Sequence, residues 1–233
     1  MQEAGGLALN SLHSLRRAMV EQLDHDRGGY PAGAAAAALA DLLRGGALAL
    51  IPTDTLPAVA ALPRFAARIW HLKQRPANKP LILMAADFDQ LHPVLGVPWR
   101  QEWLELARMG WPGALTLVLP ARGDWVEHLH PGGTSLGLRI PACALCRSLL
   151  RLTGPLATTS ANPSGRPAAR DACEAHNYFP DLPLLAPLPW SPASGQASTV
   201  LAWQESPQHR SQGSQSCWQV VRAGAFLPSH LQA

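Results

Sequence analysis

Short apolar runs recur along the chain with helical stretches between them, and this alternation limits the folds open to it. "ALALI" (47–51), "LILMA" (81–85), "LTLVLP" (115–120), "SLGLRIP" (135–141) and "PLATTS" (155–160) are too short for buried helices and read as strands. "PAGAAAAALADLLRGG" (31–46) predicts a helix, with proline near its start, an alanine run and Gly45-Gly46 as the stop. "RFAARIWHLKQRP" (64–76) sets Phe65, Ile69 and Leu72 on one helical side and must end near Pro76. Residues 86–110 read as mostly helical with interruptions, and "CALCRSLLRL" (143–152) as a helix between two strands. Strands alternating with helices predict an α/β fold around a mixed sheet.

At 233 residues, 47% hydrophobic and 15% charged, the chain can bury a sizeable core and is not a disordered tail. A net charge of +3 carries no global signal for nucleic acid, so any basic surface must come from clustering of the 19 Lys and Arg. Apolar stretches are broken well before membrane-spanning length, which predicts no membrane partner. The start, "MQEAGGLALN", lacks a basic region ahead of an apolar core and does not read as a secretion signal, so a cytoplasmic location is expected. Of Cys143, Cys146, Cys173 and Cys217, only "CALC" (143–146) has metal or redox spacing. No second pair or nearby His completes a zinc set, so no metal site is expected and the thiols read as idle. The expected organisation is an N-terminal extension over 1–30 with a short helix in "LHSLRRAMVEQLDHD", one domain over 31–226, and a C-terminal tail over 227–233. Residues 180–197 look proline-rich and irregular. Residues 204–216 look like a flexible insertion between strands "STVLAW" (198–203) and "CWQVVRAG" (217–224).

Small polar and basic residues cluster at strand ends, where open α/β sheets bind ligands. Thr53, Asp54 and Thr55 either cap a turn or face a ligand. Lys73 and Arg75 share a side if the backbone before Pro76 is extended, giving a grip for phosphate or carboxylate; otherwise they form a solvated helix end. In "TTSANPSG" (158–165), Ser160 and Asn162 would share a face of extended chain, with a plain Asn-Pro-Ser-Gly turn as the competing reading. Arg139 lies in an otherwise apolar strand and needs either an acidic side chain or an anionic ligand; Ser135 is on its face. Ser194, Ser198 and Thr199, with Arg222 near the chain's end, form a further cluster. No phosphate loop, dinucleotide fingerprint or nucleophile elbow appears. A site rich in Ser, Thr, Asn, Lys and Arg and poor in carboxylates suits phosphoryl chemistry run by positioning and electrostatics, not glycosidase-type acid–base work.

Taken in order, "PTDT", "KQRP…KPL", "WPGALTLVLP", "LGLRIP", "TTSANPSG" and "SGQASTV…VVRAGA" resemble the motif set of the YrdC/Sua5 family, the L-threonylcarbamoyladenylate synthases, over roughly residues 33–226. The resemblance implies a twisted mixed sheet with flanking helices and a concave basic cavity. It implies a nucleotidyltransferase: L-threonine, bicarbonate or CO₂, and ATP give threonylcarbamoyl-AMP and pyrophosphate. Mg²⁺ accompanies the ATP, and the product passes to a tRNA-modifying threonylcarbamoyl transferase complex. By position, it implies ATP contacts at Lys73, Arg75, Ser135, Asn162 and Arg222, and threonine contacts at Thr55, Arg139, Ser160 and Ser198. It puts catalysis on Lys73, Arg75, Ser160 and Asn162.

The chain departs from the family pattern in four places. Leu56-Pro57-Ala58-Val59 stands where Val-Tyr-Gly-Leu is usual. Met84 replaces an often-seen His, Lys79 an Asn, and Ala114 the second Pro of "PGP". One alternative is a non-catalytic protein that binds tRNA or double-stranded RNA by its phosphates. That would need the cations but not Ser160, Asn162, Ser198 and Thr199. Related carbamoyl-adenylate chemistry in hydrogenase maturation usually belongs to much longer chains.

Overall fold

The computed structural model describes residues 33–204, 218–226 and 228. The expected N-terminal helix, the bulk of the 204–216 insertion and nearly all of the C-terminal tail lie outside the described residues. The strands are β1 (Gly33–Ala34), β2 (Ala49–Ile51), β3 (Ala58–Ala61), β4 (Ile82–Met84), β5 (Leu115–Pro120), β6 (Ser135–Arg139), β7 (Leu156–Ser160), β8 (Leu184–Leu185), β9 (Thr199–Trp203) and β10 (Trp218–Arg222). The helices are α1 (Ala36–Arg44), α2 (Ala67–Lys73), α3 (Phe88–Leu91), α4 (Gln101–Gly110), α5 (Asp124–Leu129), α6 (Ala144–Thr153) and α7 (Ala172–Tyr178), with 3₁₀ turns at Pro63–Phe65 and His92–Leu95. The strands join in one mixed sheet, in the order β1-β8-β2-β3-β7-β4-β6-β5-β9-β10. Pairs β1/β8, β8/β2, β4/β6 and β5/β9 are parallel and the others antiparallel.

Alternation along each strand decides which side of the sheet each residue serves. On one side Leu50, Val59, Leu83, Ala157, Leu136, Leu138, Leu115, Leu117 and Leu201 enter the larger core. There they join Ile69 and Trp70 of α2, Trp103 and Leu106 of α4, and Val126 and Leu129 of α5. On the other side Ala49, Ile51, Ala58, Ala60, Met84 and Leu156 form a smaller core beneath α1 and α6, which supply Leu39, Leu43, Cys146, Leu149 and Leu150. Each leucine buried there stabilises the fold by roughly 1.5–3 kcal/mol. This second core contains no residue of β5, β6 or β9. Its side of those strands carries Ser135, Gly137, Arg139, Thr116, Val118, Val200 and Ala202.

Several boundaries differ from the sequence expectation. The helix expected over 31–46 starts at Ala36, because Gly33–Ala34 pairs with Leu184–Leu185 as an edge strand. The segment expected to be irregular after residue 180 supplies that partner strand. Helix 64–76 divides into the 3₁₀ turn and α2, which ends at Lys73 where Gln74 turns left-handed (φ 48°). Helix α7 was not expected, although its start is marked: Asp171 accepts from Glu174 N at 2.8 Å while Glu174 accepts from Arg170 N at 2.9 Å, a variant of the capping box. Among the described residues no helix is long and apolar enough to cross a membrane.

Candidate functional site

Helix α2 buries Ile69 and Trp70 and thereby delivers Lys73, 3% exposed, to the end of β7. Its Nζ donates to Ser160 O at 2.5 Å, with longer contacts of 3.4 Å to Thr159 Oγ1 and Asn162 Oδ1. The left-handed Gln74 folds the chain back so that Arg75 N reaches Trp70 O at 2.9 Å. Arg75 Nη1 then meets the same Thr159 Oγ1 at 3.4 Å, and Nη2 donates to Pro80 O at 3.0 Å. Lys73 and Arg75 therefore share a side, but through a left-handed residue and not the extended backbone expected. Ser160 and Asn162 likewise meet through a tight turn: Asn162 N donates to Ser160 O at 3.0 Å and Ser160 Oγ to Asn162 Oδ1 at 2.6 Å. Asn162 Nδ2 is held by Pro163 O and Arg166 O at 3.0 and 2.6 Å, and Ser164 Oγ donates to Lys73 O at 2.9 Å.

The partners of these two cations are neutral oxygens. Burial, with Arg75 beside it, lowers the Lys73 ammonium to a pKa of about 8, and burial lowers the Arg75 guanidinium. Arg75 Nε is buried without a hydrogen-bond partner. Two desolvated cations without a carboxylate are poised for an anion.

Arg139, 3% exposed, closes β6 under the loop that joins β2 to β3. Nε donates to Gly113 O at 3.0 Å, Nη1 to Thr55 Oγ1 at 2.9 Å and Nη2 to Asp54 Oδ1 at 2.8 Å. Burial lowers the guanidinium's pKa, and the Asp54 carboxylate opposes that shift. Thr53 shapes the loop: its Oγ1 accepts from Thr55 N at 3.0 Å and Leu56 N at 3.1 Å, and donates to Leu56 O at 2.7 Å. The turn reading of Thr53-Asp54-Thr55 holds at Thr53, while Asp54 and Thr55 bond to Arg139. The acid partner of Arg139 lies 85 residues away in sequence, and the residue pattern did not single it out.

Ser198 and Arg222 form the next group across the face. Arg222 Nε and Nη2 donate to Ser198 O at 3.0 and 2.8 Å, and Nη2 reaches Ser198 Oγ at 3.2 Å. Thr116, fully buried, shares a hydrogen bond of 2.9 Å with Ser198 Oγ. Thr199 turns away to accept from Gly224 N at 2.9 Å. Ser135 stands at the start of β6, with His130 Nδ1 3.0 Å from its carbonyl oxygen and 3.5 Å from its Oγ. Thr116 and His130 are contacts that sequence motifs did not flag.

Register relates the groups. Ile82 pairs with both Thr158 and Gly137, so two residues back Ser160 and Ser135 lie level, two strand spacings apart, or about 10 Å. Arg139 is four residues beyond Ser135, about 13 Å along the strand. The Lys73 end and the Arg139 end therefore sit on the order of 15 Å apart across the sheet. Between them Gly137 keeps the floor low. Among the described residues no group of three or more His, Cys, Asp or Glu could hold a metal. A cleft of about 420 Å³ opens beside the loop, between Asp54, Cys143, Leu145, Pro187 and Trp190, but the site cations do not line it. Met84 is buried beside Arg139 in the β4/β6 pairing, and Ala58 and Val59 are strand residues of β3. Lys79 is exposed and contributes its carbonyl to Trp70 Nε1 at 2.9 Å.

Residues 41–213 match the family model of the Sua5/YciO/YrdC proteins, described as "Telomere recombination". The chain belongs to this family. Over 149 residues this family member is 38% identical to a threonylcarbamoyl-AMP synthase of Stutzerimonas stutzeri, covering 61% of this chain and 78% of the relative. The synthase of Halorhodospira halophila is 39% identical over 149 residues, covering 61% and 75%. The crystal structure of P. abyssi Sua5 complexed with L-threonine superposes with a TM-score of 0.68 at 31% identity, over 74% of this chain and 52% of that one. The chain thus spans about half the length of P. abyssi Sua5. E. coli YciO, with a TM-score of 0.70 at 20% identity over 84% and 92% of the two chains, shares the fold.

Proposed function

We infer that the chain is an L-threonylcarbamoyladenylate synthase, making threonylcarbamoyl-AMP from L-threonine, bicarbonate or CO₂, and ATP. The observation that carries this reading is the pair of buried cationic sites, Lys73 and Arg75 beside Ser160 and Asn162, and Arg139 beside Thr55. One end suits phosphates and the other an amino-acid carboxylate. Relatives carrying the synthase name, and a solved relative in complex with L-threonine, support the same assignment. Hydroxyl and amide groups gathered at the strand ends favour a small-molecule site over phosphate-backbone binding to RNA.

Threonine's amine takes up CO₂ as a carbamate. A carbamate oxygen then forms a bond to the α-phosphorus of ATP as the bond to pyrophosphate breaks. Lys73, Arg75, Ser135, Asn162 and Arg222 hold the nucleotide, while Arg139, Thr55 and Ser160 hold threonine and Ser198 closes its pocket. The chain's contribution is to place carbamate and phosphorus in line and to stabilise phosphate charge. The donors present suit Mg²⁺ arriving on the ATP phosphates and not a resident ion, because among the described residues the cluster offers a lone carboxylate, Asp54, paired with Arg139. We assign the product to a tRNA-modifying transferase complex in the cytoplasm. The free thiols of Cys143, Cys146 and Cys173 agree with that compartment.

The test is pyrophosphate release with ATP, bicarbonate and each of the twenty amino acids. Release should require both L-threonine and bicarbonate. Equal release with serine, or none with threonine, overturns the substrate assignment.

A further inference from the structure

We infer that Asp54 is a positioning residue for the amino-acid substrate, holding the Arg139 guanidinium in an orientation that leaves two N–H groups for the substrate's carboxylate. A guanidinium has five N–H groups. Gly113 O takes the one on Nε, Thr55 Oγ1 one on Nη1 and Asp54 Oδ1 one on Nη2. Among the described residues two remain without a partner, one on each terminal nitrogen, the number that a carboxylate accepts in a bidentate pair.

Asp54 is itself fixed. Oδ1 also accepts from Ala142 N at 3.0 Å, ahead of α6, while Oδ2 makes no hydrogen bond to the described residues. The backbone of the same loop is tied on its other side: Ser194 N donates to Asp54 O at 3.1 Å and Gly195 N to Thr55 O at 3.0 Å. The loop therefore joins Arg139 at the end of β6 to the segment that leads into Ser198. Asp54 also keeps a buried cation paired; without it Arg139 would be buried against neutral oxygens alone, and its Nη2 would lose its anchor.

The inference rests on the reading that Arg139 receives the substrate's carboxylate. Two effects of removing Asp54 oppose one another. Loss of its negative charge strengthens attraction for an anion, whereas loss of the anchor frees the guanidinium. The second wins where three fixed bonds define the receptor, because pre-organisation is then most of its affinity.

The test uses the full chain with ATP, bicarbonate and L-threonine. Asp54→Ala should raise the KM for threonine about ten-fold or more while the KM for ATP stays within about two-fold. Asp54→Asn, which keeps an oxygen for Arg139 and Ala142 but no charge, should restore the threonine KM to within about three-fold of wild type. If Asp54→Ala does not fold, Asp54→Ser carries the same comparison, since it keeps a turn-forming residue yet falls one bond short of Arg139. A threonine KM unchanged or lowered in the truncated variant, or an ATP KM raised in parallel, overturns the role of Asp54. Calorimetric titration of wild type with L-threonine separates the two claims. If wild type neither binds threonine nor releases pyrophosphate with it, the assignment of function fails irrespective of Asp54.

Discussion

Gly137 gives the sharpest test of where the reactants lie. It is the middle residue of β6, between Ser135 and Arg139, on the side of the sheet that α1 and α6 leave uncovered. A Cβ built there would lie 3.6 Å from Ile82 Cγ1, 3.7 Å from Thr116 Cγ2 and 3.9 Å from Ile82 Cα. These are ordinary contacts, and all belong to flanking strands. Its backbone is not in the left-handed region, so a side chain brings no conformational strain. Glycine within a strand costs about 0.5–1 kcal/mol relative to alanine. Gly137→Val should therefore stabilise the fold, raising Tm by about 1–4 °C for a domain of this size. The same side chain stands up from the floor between the two cationic ends. A shift of about 1 Å between reacting groups costs on the order of 100-fold. Pyrophosphate release should fall at least that far in Gly137→Val, and by less in Gly137→Ala. The assay pairs a thermal melt with threonine- and bicarbonate-dependent pyrophosphate release. A variant that melts higher yet keeps release within about two-fold of wild type would show that the reactants do not cross this face. A variant that melts lower would refute the packing argument.

Joint replacement of Lys73 and Arg75 by Ala should abolish pyrophosphate release; release at the wild-type rate would misplace the phosphate end. Lys73 should also impose a pH dependence. Its folded pKa of about 8 lies below the ordinary lysine value of 10.5, so between those values the unfolded chain binds more protons and stability rises with pH. Urea melts at pH 7 and pH 9.5 should show that rise in wild type and lose it in Lys73→Met. For catalysis the sign reverses: kcat/KM for ATP, which reports the free enzyme, should fall above about pH 8 as the ammonium deprotonates. Gly224→Ala would drive a methyl against Ala197 O and to 2.6 Å from Thr199 N, moving the backbone that Arg222 grips. It should destabilise by about 1–3 kcal/mol, read from denaturant melts, and weaken ATP more than threonine.

The strands were legible as short apolar runs between helical stretches: "LTLVLP" reads as a strand and is one, residue for residue, at Leu115–Pro120. The two-residue strands Gly33–Ala34 and Leu184–Leu185 have no room for a repeat; the first exists through the second, and the second lies between it and β2. The cations of the site could be named from sequence, and so could their need for anionic partners. Their geometry could not. Whether Lys73 and Arg75 share a side depended on Gln74 adopting φ 48°, and nothing local to Gln-Arg-Pro requires a left-handed glutamine. Arg139 left two partners open, an acid or a ligand, and Asp54 answers one only because a six-residue loop crosses the sheet to reach it.

Why the site lies where it does follows from the same alternation that builds the sheet. Across β2 and β3 the side beneath the helices reads Ala49, Ile51, Ala58 and Ala60, an apolar and shallow surface on which α1 and α6 lay Leu39, Leu43, Leu149 and Leu150. Across β6 and β5 the same side reads Ser135, Gly137, Arg139, Thr116 and Val118. A helix packed there would gain little apolar burial and would have to cover the partly exposed hydroxyl of Ser135 and the two Arg139 N–H groups that have no partner among the described residues. The layer formed by α1 and α6 ends where Ser135, Gly137, Arg139 and Thr116 interrupt the apolar side chains. Two residues set the character of this part of the sheet from opposite directions. Gly137 keeps it low, and Arg139 keeps it charged at the cost of recruiting Asp54 from the neighbouring loop. In this fold the candidate binding residues of β6 lie on the half of the sheet whose side chains give a helix little to pack against.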